Sequence, residues 1–112
     1  MRALKLAPVP RVAYRRILVP VAGDDESELD VELAAELAPD EGARITAVFV
    51  IEVEPELPLD AHMLEDEAEA RHALDKAHSI ADRRGVRLQE RIVRARSRGE
   101  AIVAEAEAAD AD

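Results

Sequence analysis

Apolar residues fall into two kinds of run along this chain. Short β-branched blocks, Ile17-Leu18-Val19 with Val21 and later Val48-Phe49-Val50-Ile51, are separated by longer alanine- and leucine-rich stretches whose apolar positions recur every three or four residues. The short blocks predict buried strands and the long stretches amphipathic helices. Strand one is expected over Arg16 to Val21, with Pro20 near its end, where a missing backbone donor is tolerated. Helix one is expected over Asp24 to Ala38. Asp24, Asp25 or Ser27 suits its N-cap, and Glu26, Glu28 and Asp30 complement the positive end of its dipole. Leu29, Leu33 and Leu37, with Ala34 between them, give it one apolar stripe. Pro39-Asp40-Glu41-Gly42 stops it.

Ala43 to Val53 reads as strand two, its continuously apolar centre matching a strand covered on both faces. A loop with Pro55 and Pro58 follows. Asp60 to about Arg84 reads as a long helix, with Met63, Ala70, Leu74, Ala77 and Ala81 on one face, joined by Ala73 and Ile80, and Gly85 ending it. Val86 to Arg94 alternates in its first half and is rich in arginine, the pattern of an edge strand blunted against unwanted pairing. Ser97 and Glu100 form a capping-box pattern at the start of a last helix that continues through Ala101, Ile102, Ala104 and Ala108. The order β-α-β-α-β-α predicts an α/β fold, a three-layer α/β/α sandwich on a parallel sheet with right-handed crossovers. Residues 1–15 read as a basic, proline-containing arm or linker, and residues 16–112 as the folded domain.

Charge is unevenly spread within a net −10. Residues 1–16 carry five basic residues and no acid; Asp24 to Asp82 carries 19 acids against Arg44, Arg71 and Lys76; Arg83 to Arg98 carries seven arginines and one acid, Glu90. The acidic middle argues against a nucleic-acid surface, and the arginine cluster reads as a solvated helix end plus one face of an edge strand. Acidity of this degree is also a solubility or salt-adaptation feature. The chain has no cysteine, so disulfides, zinc-thiolate sites and thiol nucleophiles are excluded. No apolar run approaches the roughly 20 residues needed to cross a bilayer, and the N-terminal stretch, broken by Pro8 and Pro10, does not read as a signal peptide. These features point to a cytoplasmic protein.

Three clusters invite a chemical reading. His72 and His78 are six residues apart, on opposite sides of a helix, and with His62 read as surface polar residues; a zinc site needs a third ligand from elsewhere. Glu65, Asp66, Glu67 and Glu69 sit where the helix dipole favours acids. Ser27 has no G-x-S-x-G around it and no histidine placed to activate it, so its expected role is capping. No catalytic and no metal-binding residue is assigned, and the chain is expected not to be an enzyme.

The segment RILVPVAGDDESELDVELAAELA, a second strand ending VFVIEV, a long helix, a third strand and a helix opening G-x-x-I-V together resemble the first three-fifths of a universal stress protein. The resemblance spans Arg16 to Asp112. It implies the adenine nucleotide alpha hydrolase-like fold, five parallel strands in the order 3-2-1-4-5, of which this chain lacks the last two. It also implies an adenine-end wall at Pro20, Val21, Ala22 and Val50. In ATP-binding members an Asp stands where this chain has Ala22, and a glycine-rich phosphate loop follows strand four. Ala22 has no side-chain acceptor and the loop is absent here, so nucleotide binding is doubted and no cofactor is expected, ATP being the one the family would suggest. The resulting expectation is a regulatory, stress-response module. The alternative is a cytoplasmic regulatory or interaction domain associated with an amino-acid transporter, with the basic arm as linker. Expected partners are a second copy of the chain or a missing C-terminal segment, with no nucleic acid and no direct membrane insertion.

Overall fold

A computed structural model describes residues 15–22, 24–38 and 43–111 of the chain. The predicted arm lies outside the described residues except for Arg15, as does the stop at Pro39 to Gly42. The elements are β1 (Arg16–Pro20), α1 (Asp25–Leu37), β2 (Arg44–Glu52), α2 (Leu64–Arg84), β3 (Arg87–Ala95) and α3 (Arg98–Ala108). The strands form one parallel sheet in the order β1-β2-β3. The α/β class and the parallel sheet follow the sequence pattern.

β2 is central, and its alternation divides the core in two. Ile45, Ala47, Phe49 and Ile51 face the layer of α1 and α2, where they pack with Val19, Val21, Val31, Ala34, Ala70, Leu74, Ala77 and Ile80. Val48 and Val50 face the other side, against Ala101 and Ile102 of α3, with Leu18 and Val93 beside them. Two consecutive crossovers in one direction put α1 and α2 on the same face, and α3 passes to the other. With only Tyr14 and Phe49 as aromatics, this core is built from aliphatic side chains and alanine, which lets helices approach the sheet closely.

Asp24 caps α1: its Oδ1 accepts from the Ser27 amide at 2.8 Å. α1 turns a different face to the core than its leucines suggest. Ser27, Val31, Ala34 and Ala35 are buried, whereas Leu29, Leu33 and Leu37 are 63%, 54% and 44% exposed. α1 has two other sides. One faces α2, where Glu28 meets Lys76 at 3.2 Å and Glu32 and Glu36 meet Arg84 at 3.5 and 3.8 Å. The leucines occupy the exposed side, turned away from the sheet.

α2 begins at Leu64, four residues later than expected, because residues 55–60 are taken up by turns closed by Leu57 N–H to the Glu54 carbonyl and Ala61 N–H to the Pro58 carbonyl. Its length is about 31 Å. It ends at Gly85, whose φ of 69° lies in the left-handed region and whose N–H reaches the carbonyls of Ala81 and Asp82. β3 is an edge strand, and the arginines after Arg83 tie layers together. Arg91 is bidentate to Glu105 of α3 at 2.9 and 3.0 Å. Arg94 donates to the Ala61 carbonyl at 2.8 Å and to Glu67. Arg71 of α2 grips Glu90 of β3 at 2.8 and 2.6 Å. Among the described residues no helix is long and apolar enough to cross a membrane.

Candidate functional site

The C-terminal ends of parallel strands open where ligands bind in this fold class. Here that end holds a cleft of about 340 Å³ lined by Ala22, Phe49, Val50, Ile51, Glu52, Asp66, Glu69 and Arg98. β1 reaches it through a locked turn. The Val21 amide donates to the Val48 carbonyl at 2.8 Å, continuing the ladder past Pro20. The Ala22 amide donates to Ser27 Oγ at 2.8 Å. Ser27 is buried, with its hydroxyl occupied in holding the loop and its amide in the cap. Hydrogen bonding from the Ser27 hydroxyl, and next from its amide, holds the Asp24 carboxyl below its ordinary range.

Of the four residues singled out in the sequence, Ala22 and Val50 meet at this cleft, whereas Val21 is buried beneath it and Pro20 is half-buried in the strand. Val48 turns its carbonyl toward β1. Val50, two residues on, turns its backbone groups to the same side, beyond the last β1 pair at Pro20 and Val48. A backbone contact at Val50 is therefore geometrically open to the cleft.

The other wall is acidic. Glu52 from the end of β2 and Asp66 and Glu69 from the first turns of α2 supply three carboxylates against the single guanidinium of Arg98. Glu52 Oε2 accepts from the Arg98 amide at 2.8 Å, so the first backbone donor of α3 already holds an anion. Ser97 Oγ accepts from the Glu100 amide at 3.4 Å, completing that cap. A helix N-terminus is the usual backbone seat for phosphate. Both α1 and α3 fill theirs with their own carboxylate or hydroxyl. Asp66 and Glu69 stand out in the sequence as part of an acid run, but Glu52 and Arg98 do not, because the four come from three separate elements and only the fold brings them together. The one local signal was the acid run after Met63.

Elsewhere, His78 Nε2 lies 3.0 Å from Glu90 Oε2. Arg71 first, and His78 second, hold the Glu90 carboxyl below its ordinary range against the opposing effect of partial burial. Among the described residues no three His, Asp or Glu side chains gather to hold a metal ion.

Comparison with known proteins agrees with this architecture. The family model described as "Universal stress protein family" matches residues 13–112. The chain is similar to a universal stress protein from Archaeoglobus fulgidus, with 27% identity and a TM-score of 0.72 over 88% of this chain and 71% of that one. It is also similar to a protein of the same family from Burkholderia pseudomallei, at 26% identity and TM-score 0.69 over 93% and 80%. A universal stress protein solved in complex with cAMP shares the fold at 24% identity and TM-score 0.62, over 90% of this chain and 70% of that one. The curated proteins contain no match.

Proposed function

Because this chain belongs to the universal stress protein family, we propose that it works as a non-enzymatic regulatory module of the stress response, and that it does so without ATP as a resident ligand. The observation that carries the second half is the Glu52 carboxylate on the Arg98 amide, at the start of α3 on the cleft. A triphosphate entering there would displace that carboxylate and then face Asp66 and Glu69, with Arg98 alone to offset them. Ala22 adds no side-chain acceptor for the nucleoside. The apolar wall at Ala22 and Val50 would accept an adenine face, but stacking on two small side chains does not offset repulsion at the phosphate end. The absence of turnover is supported by Ser27, the only nucleophile of the strand-to-helix loop among the described residues, whose hydroxyl is held by the Ala22 amide and whose side chain is buried.

The test is thermal unfolding of the 112-residue chain with ATP and with inorganic phosphate, each at 5 mM. Ligand that binds only the native state stabilises by RT ln(1 + [L]/Kd). A shift below about 2 °C with ATP is expected, corresponding to a Kd of roughly 5 mM or weaker. A saturable rise with ATP and none with phosphate would overturn the reading, and Ala22 and Val50 would then be the residues to substitute.

A further inference from the structure

The connection from β2 to α2 is held in place from outside. Residues 54–60 are all exposed, so burial does not fix them. Two arginines at the end of β3 do. Arg96 donates to the carbonyls of Val53, at 3.3 Å, and Glu54, where the connection starts. Arg94 donates to the Ala61 carbonyl at 2.8 Å, where it ends, and is itself anchored on Glu67. Between these two staples the backbone closes two turns, Leu57 N–H to the Glu54 carbonyl at 2.9 Å and Ala61 N–H to the Pro58 carbonyl at 3.0 Å. Pro55 and Pro58 fix their own φ and disfavour a helical Glu54 and Leu57. This stiff segment lies on the β3 side of the sheet, the side away from β1. It displays Leu57 and Leu59, 39% and 45% exposed, and α2 follows at once with Leu64, 74% exposed. Glu54, Glu56 and Asp60 stand among these leucines. Unlike Glu67, Glu90 and Glu105, which arginines hold, their carboxylates have no partner among the described residues.

We propose that residues 54–64 form a preformed docking segment for a partner protein that offers an apolar surface rimmed by lysine or arginine. Three observations carry this. First, Leu57, Leu59 and Leu64 expose apolar area within eight residues of chain, and such patches ringed by polar groups mark interaction sites. Second, the segment is already ordered. A loop held at both ends by Arg94 and Arg96 and stiffened by two prolines gives up little conformational freedom when it is bound, so more of the contact energy appears as affinity. Third, charge selects the occupant. The unpartnered carboxylates of Glu54, Glu56 and Asp60 attract a basic rim and repel an acidic one. A second copy of this chain is the wrong partner, because a two-fold contact here would set each of these carboxylates against its own kind. The leucines supply the contact and the carboxylates the selectivity. The inference is independent of whether the cleft at Ala22 and Val50 holds a nucleotide.

The experiment titrates the ¹⁵N-labelled 112-residue chain with a synthetic amphipathic helical peptide, about 18 residues long, whose leucine stripe is flanked by lysine. A peptide of the same pattern with glutamate in place of lysine is the control. Saturable shifts centred on the Leu57, Leu59 and Leu64 amides are expected with the lysine peptide and none with the glutamate peptide. Leu57 and Leu59 are exposed, so the Leu57→Ser, Leu59→Ser double variant keeps the fold, and it should bind about tenfold more weakly. Leu29→Ser with Leu33→Ser, which removes exposed leucines of α1, should leave the affinity unchanged. Arg96→Gln should lower the ¹⁵N order parameters of residues 54–60 and weaken binding severalfold with the leucines still in place. The proposal is overturned by equal affinity of the Leu57→Ser, Leu59→Ser variant, by shifts centred on α1, or by equal binding of the two peptides. It is also overturned if the wild-type Leu57 and Leu59 amides are much more mobile than those of α2, or if the same amides shift when the chain alone is concentrated, which would identify a second copy as the occupant.

Discussion

Leu74 and Leu64 lie on the same helix ten residues apart, and the structure assigns them opposite fates. Leu74 is fully enclosed, among Val31, Ile45, Ile51 and Ile80, whereas Leu64 is 74% exposed at the first turn of α2. Leu74→Ala removes buried methyl groups and leaves a cavity that the rigid sheet on one side closes only in part. Such changes cost about 2.7 to 5 kcal/mol, and with so many alanines around it this site has few flexible neighbours to fill the gap, so about 3 kcal/mol is expected. For a domain whose total stability falls in the range of roughly 5–15 kcal/mol, that is a large share. The melting temperature should fall by about 12 °C or more. Leu64→Ala makes the same chemical change at a site with almost no burial, and alanine is at least as good a helix former, so its effect should lie within about 0.5 kcal/mol. Urea titrations followed by far-UV circular dichroism, run at micromolar concentration, measure both. The denaturant slope should stay constant while the midpoint moves for Leu74→Ala alone. Equal midpoints for the two variants, or a Leu74→Ala cost below about 1 kcal/mol, would refute the placement of the core between α2 and β2.

Two further substitutions probe the ends and the edge of the fold. Gly85→Ala should destabilise by about 1 kcal/mol in the same titration, because its φ of 69° disfavours a Cβ. The space around it is open, so Gly85→Asn should recover part of the loss. Glu90 has a folded-state pKa below its ordinary value of about 4.5, held there first by Arg71 and then by His78. The sign is that of a depressed carboxylate: its contribution is present above pH 4.5 and disappears as pH falls through the lower folded value. Wild type should therefore exceed Glu90→Gln in urea midpoint at pH 7, with the difference shrinking as pH falls below 4.5; a difference that does not change with pH would point to packing instead of charge.

Most of the element order was legible because each strand is a dense β-branched block and each helix is bounded by a residue with a defined local job: Asp24 at the start of α1, Gly85 at the end of α2 and Ser97 before α3. What was not legible depended on three-dimensional neighbours. Leu29, Leu33 and Leu37 have perfect core spacing, yet the sheet takes the smaller ridge of Ser27, Val31, Ala34 and Ala35, which lies closer to the strands. The start of α2 was placed early because Asp60 looks like a cap, while the turns closed by Leu57 and Ala61 consume those residues. At the candidate site, Ala22 and Val50 could be paired through the family pattern. The acidic wall could not, since Glu52, the Asp66–Glu69 pair and Arg98 are distant from one another in sequence and meet only when β2, α2 and α3 converge.

The claim that this family member does not hold ATP rests on one cleft, so it is tested most directly by a titration of ¹⁵N-labelled chain with ATP, reading the amides of Ala22, Val50 and Arg98. The account predicts that all three resonances stay fixed to millimolar ATP, with the Arg98 amide remaining in the downfield position of a donor to the Glu52 carboxylate. Saturable movement of Ala22 and Val50 together with loss of that downfield shift at Arg98 would contradict it, showing that nucleotide enters the cleft and displaces Glu52.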